Sequence, residues 1–191
     1  MAENQPQPNT RTARPPRRDN RNQAAPGEKQ FEEFVINIDR VARVVKGGRR
    51  FRFKALVAVG DGKQRVGVGV AKGADVQAAV AKATDIAKKN LIVIPVVNTT
   101  IPHDAEVKVS GARVLIMPAA PGTGIIAGGV VRSIIGLTGI SNLLSKSLGS
   151  TNKVNIAYAT IDALKSLVPA EQWLNAPKKA AAKKVAAKEE K

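Results

Sequence analysis

Two stretches of this 191-residue chain carry residue types whose spacing could do chemistry. The first runs from Arg40 to Lys54 and holds seven basic side chains, Arg40, Arg43, Lys46, Arg49, Arg50, Arg52 and Lys54, with no acid among them. Its centre, Lys46-Gly47-Gly48-Arg49-Arg50, reads as a Gly-Gly turn wrapped in cations. Like charges on a tight loop repel one another unless a polyanion neutralises them, and a phosphate backbone is the commonest such partner. A solvated charged face is the other use of such a run, but the interspersed Glu that balances such a face is missing. The second stretch, Gly122-Thr123-Gly124-Ile125-Ile126-Ala127, matches the dinucleotide pattern G-x-G-x-x-G/A. It follows a strand and opens a helix, as that fingerprint requires. The acid that should bind a ribose about 20 residues further on is missing. No Asp or Glu lies between Glu106 and Asp162. Two uses remain for Gly122, Thr123 and Gly124, together with Gly128 and Gly129 beyond them. They form a loop whose N–H groups, at a helix N-terminus, face an RNA phosphate or a neighbouring protein, or they form a plain structural turn.

Other chemistries find little support. No Gly-Lys is followed by Ser or Thr, so no P-loop is present. His103 is the only histidine, sits next to Pro102 in a connector, and reads as solvated. One His cannot build a multi-His metal site, and no G-x-S-x-G elbow exists for it to serve. Cysteine is absent, which removes disulfides and thiolate metal sites. The expectation is a non-enzyme with no cofactor and no metal.

The charge balance points the same way. Formal net charge is +16, and the part from 31 to 168 alone carries 19 basic and nine acidic groups. A pI near 10.5 is typical of nucleic-acid binders. Aromatic residues make up only 3%, which argues against a platform for stacking single-stranded bases. No apolar run reaches the roughly 20 residues of a membrane span, so no membrane association is expected. The N-terminus lacks the apolar core of a signal peptide.

The elements that must position the basic run follow from periodicity. Residues 1–30, rich in Pro, Asn, Gln and Arg, read as a disordered basic arm. Val41–Val45 reads as a strand entering the Gly47-Gly48 turn. Phe51–Val59 alternates Phe51, Phe53, Ala55, Val57 and Val59 against Arg52 and Lys54, the pattern of a half-buried strand with an exposed cationic side. Asp61-Gly62 signals a hairpin turn, and Arg65–Ala71 returns as a third strand. Gly67 and Gly69 share one face of it, where something packs close or the sheet bends. Asp75 is the expected N-cap of a helix burying Val76, Ala79, Val80, Ala83, Ile86 and Ala87. Leu91–Val97 is a further strand candidate.

A second unit follows a connector at 98–104. Ala105–Val109 and Arg113–Met117 form a hairpin across Ser110-Gly111-Ala112, and Val130–Leu137 is a short apolar helix. Ile140–Leu148 is a strand or an irregular segment. Thr151 or Asn152 caps a last helix burying Ala157, Ile161, Leu164 and Val168. The fold class is α+β, with two small α/β sandwiches, β-β-β-α over 31–98 and β-β-α-β-α over 99–168. Packing of the two against each other should help both, since each is small for an independent core. A flexible tail over 169–191 ends in an Ala/Lys tract. Both tails suit either a generic charge tether or a docking role.

Four strings in this order resemble one family: VKGGRRFRFKALVAVGDG (Val45–Gly62), RVGVGVAKG (Arg65–Gly73), PGTGIIAGG (Pro121–Gly129) and GSTNKVNIAYATIDAL (Gly149–Leu164). The family is bacterial small-subunit ribosomal protein number five, and the resemblance spans about Phe31–Val168. It implies a double-stranded-RNA-binding-like first domain. The second domain would have a fold shared with translation-factor and ribonuclease-associated domains. It implies a structural constituent of the small ribosomal subunit in the cytoplasm, bound to 16S rRNA and with no homo-oligomer. Neighbours would be small-subunit proteins number four and number eight, with the mRNA entry channel close by. The rRNA-binding set would be Arg43, Lys46, Gly47, Gly48, Arg49, Arg50, Arg52, Lys54, Arg65 and Lys72, with Lys46–Arg50 near the head–body hinge and the family's spectinomycin-linked site. The contact with protein four, which governs decoding accuracy, would involve Gly111 and Arg113. The family often carries an acid before its GTG loop, where this chain has Ala119-Ala120-Pro121. A free-standing RNA-binding regulator or chaperone is the alternative, and a nucleotide-dependent enzyme using the GTG loop is a third reading.

Overall fold

The computed structural model describes residues 31–169 and Gln172. The arm expected over 1–30 and the Ala/Lys tract of 176–191 lie outside the described residues. The chain is α+β as expected. Its first half contains β1 (Glu32–Val45), β2 (Gly48–Gly60), β3 (Arg65–Gly73), α1 (Val76–Lys89) and β4 (Ile92–Val93). Its second half contains β5 (Ala105–Val109), β6 (Ala112–Pro118), β7 (Ile125–Ile126), α2 (Gly129–Gly136), β8 (Leu143–Gly149) and α3 (Lys153–Lys165). Two four-stranded sheets result, ordered β1-β2-β3-β4 and β5-β6-β8-β7. Every pairing is antiparallel except that of β7 with β8.

Strand β1 starts nine residues before the expected Val41. A register shift between Val35 and Asn37 puts a bulge at Ile36, so the alternation that marks a strand is broken within its first half. Strand β2 departs from a half-buried strand in two opposite ways. Gly48–Arg52 is exposed on both faces, while Ala55–Gly60 is buried on both. The Leu91–Val97 candidate contracts to Ile92–Val93 at the sheet edge; Pro95 has no N–H to give to a ladder.

Helix α1 lies on the face of the first sheet that carries Ala55, Val57 and Val59. The contact is very close. A Cβ at Gly67, Gly69 or Gly73 would run into the helix backbone at Ala87, Ala83 and Ala79 respectively. The Gly67–Gly69 signal is therefore a helix seated on the sheet, with Ala79, Ala83 and Ala87 facing the glycines. This rotates the buried face relative to the expected one. Thr84 is buried, and Ile86 is 37% exposed. Asp75 occupies the N-cap position but its side chain makes no capping bond. Asn152 does cap α3, accepting from the Val154 N–H at 3.1 Å.

The opposite face of the first sheet supplies Leu56, Ala58, Val66 and Val68 to a cluster that also holds Ile134, Leu137, Ile161 and Leu164. The two halves thus share one core. Backbone bonds fasten the β2–β3 turn to the end of α2, from Gly62 N–H to Leu137 C=O at 3.0 Å and from Gln64 N–H to Thr138 C=O at 2.9 Å. Gly60 has no room for a side chain against Leu137.

Candidate nucleic-acid interface

The basic run forms the tip of the β1–β2 hairpin, and register explains why it projects. Strand β3 ends where Gly73 pairs with Phe53. Beyond that point five pairs continue between β1 and β2 alone, from Val41↔Arg52 to Val45↔Gly48. At about 3.3 Å per residue this two-stranded extension reaches roughly 15 Å past the sheet. The turn itself consists of Lys46 and Gly47, with Gly48 already paired. Gly47 at φ 88 and Gly48 at φ 144 hold conformations that side chains rarely adopt, and nothing lies within 4 Å of a Cβ at either position. The demand there is conformational, not steric.

Directly paired residues share a sheet face. Arg43 faces Arg50, Val41 faces Arg52 and Lys54 faces Lys72, so one face collects Arg43, Arg50, Arg52 and Lys54 of the run, with Lys72 beside them. There Arg43, Arg50, Arg52 and Lys72 line a groove of about 230 Å³ together with Val41, Val45 and the strand at Ala42. Among the described residues none of these four cations has an acid within ion-pair distance. Arg40 and Arg49 project from the other face, Arg40 with its guanidinium 3.9 Å from the Phe51 ring centroid.

Two members of the expected set stand apart. Lys54 is ion-paired to Asp39 at 2.8 Å across the strands. Asn37 Nδ2 also donates to Asp39 at 2.7 Å. Lys54 and Asn37 together hold the Asp39 carboxyl below its ordinary range. Asp39 is one residue outside the acid-free window, and only register reveals it as the partner. Arg65 lies at the far end of the sheet, about 40 Å from Gly48 by strand rise. Its Nε donates to Asp61 Oδ2 at 2.6 Å. Burial pushes the Asp61 carboxyl up, but Arg65 and the N–H groups of Lys63 and Arg65 outweigh it and lower its pKa.

The Gly122–Gly124 loop does not open a helix. After Gly124 comes β7, and α2 begins only at Gly129. The loop's N–H groups are also occupied. Gly122 and Gly124 donate to Asn142 Oδ1 at 3.1 and 3.0 Å, and Thr123 donates to Ala120 C=O at 3.2 Å. Asn142 Nδ2 in turn donates to Thr99 at 2.9 Å. Those bonds fit the structural turn, and the nucleotide fingerprint loses its helix as well as its acid. Gly128 and Gly129 form the exposed N-terminus of α2.

Gly111 lies in the β5–β6 turn after Ser110, which takes φ 54, and its C=O accepts from Ser150 N–H at 2.8 Å. Arg113 is exposed and pairs with Glu106 at 2.6 Å. His103 is not simply solvated. Its Nε2 accepts from Val168 N–H at 3.0 Å, and its Nδ1 lies 2.6 Å from the Asp104 carbonyl oxygen.

Against models of known protein families, residues 31–95 match the N-terminal domain of ribosomal protein S5 and residues 107–176 match its C-terminal domain. The two matches together cover well over half of the chain.

Proposed function

Because this chain belongs to the ribosomal protein S5 family, structural and non-enzymatic proteins of the small ribosomal subunit, we propose that its β1–β2 hairpin is an rRNA contact. The carrying observation is the groove of four cations, without an acid partner among the described residues, at the base and along one face of a projecting two-stranded hairpin. Double-stranded RNA is bound largely by shape and by phosphate and 2′-hydroxyl contacts, which calls for cations on a stiff surface. An isolated hairpin is marginal in water, and one that places Arg43 directly opposite Arg50 gains a partner's negative charge as part of its stability.

In this reading Arg43, Arg50, Arg52 and Lys72 hold phosphates of 16S rRNA, and Lys46, Gly47, Gly48 and Arg49 form the tip that enters the RNA. Lys54 braces the hairpin through Asp39, and Arg65 braces the opposite turn through Asp61. Gly111 and Arg113 offer an edge to small-subunit protein number four, through which decoding accuracy is affected. The exposed glycines Gly128 and Gly129 offer another contact, to RNA or protein. Protein number eight and the mRNA entry side complete the proposed surroundings. Cosedimentation tests this: the chain should remain with small subunits through a moderate-salt wash, and Arg50→Gln should loosen it. Recovery mainly in the free fraction would favour a free-standing RNA-binding regulator and overturn the assignment.

A further inference from the structure

The projecting hairpin has a second face with a different chemistry. Arg40 opposite Phe53, Ala42 opposite Phe51 and Val44 opposite Arg49 point away from the groove. Helix α1 covers this side over Ala55, Val57 and Val59, and Phe53 is partly buried at the margin of that cluster. Phe51 lies beyond the helix and is 50% exposed, and Val44 is 75% exposed. Arg40 is stacked on Phe51, 3.9 Å from its ring centroid. The six paired residues that make up this face at the tip include two arginines and no acid.

Such a pair engages only one side of each flat group, so the stack can be extended by a third flat group. Nucleobases stack on aromatic rings and on guanidinium planes alike. The phosphate groove lies on the reverse of the same two strands, so one nucleic acid passing the hairpin can present its backbone to one side and a base to the other. An acidic protein surface would suit Arg40 and Arg49, but it would leave the ring of Phe51 unused. Only six of 191 residues are aromatic, and this one is held in the open beside the densest cationic stretch of the chain.

We propose that the Arg40–Phe51 pair receives an unpaired RNA nucleobase, while the opposite face holds phosphates. The proposal rests on the reading of the hairpin as an RNA contact. It runs against the expectation that so few aromatics build no platform for stacking bases.

The test uses the full chain with two RNAs: a fully paired duplex, and the same duplex carrying one unpaired 2-aminopurine. The bulged RNA should bind roughly tenfold more tightly, within the range that base–aromatic stacking supplies, with quenching of the 2-aminopurine fluorescence. Phe51→Leu keeps an apolar side chain at an exposed position but removes the ring. It should erase both the preference and the quenching, with affinity for the paired duplex unchanged. Arg40→Lys keeps the charge but removes the plane, and should reduce the preference too. Arg50→Gln, on the other face, should weaken both RNAs by the same factor. Equal affinity of the unaltered chain for the two RNAs overturns the base site and leaves the phosphate reading standing. Preference surviving Phe51→Leu also overturns it. Displacement of the RNA by an acidic peptide in a Phe51-dependent way would assign the face to a protein instead. Failure to bind either RNA would overturn the RNA-contact reading itself.

Discussion

Neutralising the groove cations should change the salt dependence of RNA binding, and neutralising the adjacent ion pair should not. Arg43, Arg50, Arg52 and Lys72 surround one groove and have no acid partner among the described residues, so each is available to a phosphate. Each phosphate neutralised contributes about 0.7–0.9 to the slope of log affinity against log salt. Four contacts therefore account for a slope of about 3, or roughly a hundredfold loss of affinity between about 50 and 200 mM salt. The variant with all four changed to Gln should lose that dependence, and each single change should remove its own share. Unfolding is not a competing explanation. Arg43 and Arg50 stand directly opposite each other, and like charges so placed cost about 0.2–1 kcal/mol, so the variant should be at least as stable as the parent. The control is Asp39→Asn with Lys54→Gln, which removes a 2.8 Å ion pair from the same sheet without changing net charge. Titrations of a paired RNA duplex at several salt concentrations read both. An unchanged slope in the fourfold variant, or an equal loss in the control, would refute the division between free and paired cations.

Three further outcomes concern the body that holds the hairpin. Gly69→Ala would force a Cβ into the Ala83 carbonyl and should destabilise the protein by about 1–3 kcal/mol or more, read as a lower urea midpoint. A wild-type midpoint would mean α1 lifts off at little cost. Asn142→Ala would orphan the Gly122 and Gly124 N–H groups and should cost about 1–3 kcal/mol. Asn142→Asp, which keeps the accepting oxygen, should recover much of it. Asp61 has a folded pKa below its unfolded value of about 3.9. The stability it adds is therefore present above about pH 4 and lost as pH falls through the folded value. Asp61→Asn should lower stability at neutral pH and flatten the acid decline, and urea midpoints at pH 3 and pH 7 that fall in parallel with the parent's would contradict this.

What was legible in the sequence was whatever depends on local spacing. Alternation marked β2 and β3, Asp61-Gly62 marked their turn, Thr151 or Asn152 marked the start of α3, and the Gly67–Gly69 stripe marked a close approach or a bend, of which the close approach of the alanine face of α1 is the one present. What was not legible depends on a partner distant in sequence. Asp39 looked separate from the basic run until register set it opposite Lys54. Asn142 gives no local sign of clamping a loop 20 residues earlier, yet its one oxygen accepts from both Gly122 and Gly124. Arg65 read as one more cation, but antiparallel return carries it to the end of the sheet remote from the tip. The burial of Leu56 and Ala58 on the side named cationic needed a second half to pack there.

The same strand therefore does two jobs in sequence. From Ala55 to Gly60, β2 is buried on both faces, under α1 on one side and against the second half on the other, and its following turn is bonded to Leu137 and Thr138. From Gly48 to Arg52 it is exposed on both faces. A strand fixed over one half carries the other half as a stiff extension, because successive residues of a paired strand cannot reorient independently. That separates the two kinds of damage. Substitutions beyond the Phe53↔Gly73 pair should alter RNA binding with little effect on global stability, whereas substitutions at Gly60 or Gly69 should unseat the whole support. Gly48→Asp is the sharpest case. Its φ of 144 is unfavourable for a side chain, yet no atom lies near enough to clash, so it should add strain and a negative charge at the tip alone. Circular dichroism and urea midpoint should stay close to the parent's while RNA affinity falls. A global loss of structure would show that the tip, for all its exposure, is needed to fold the sheet.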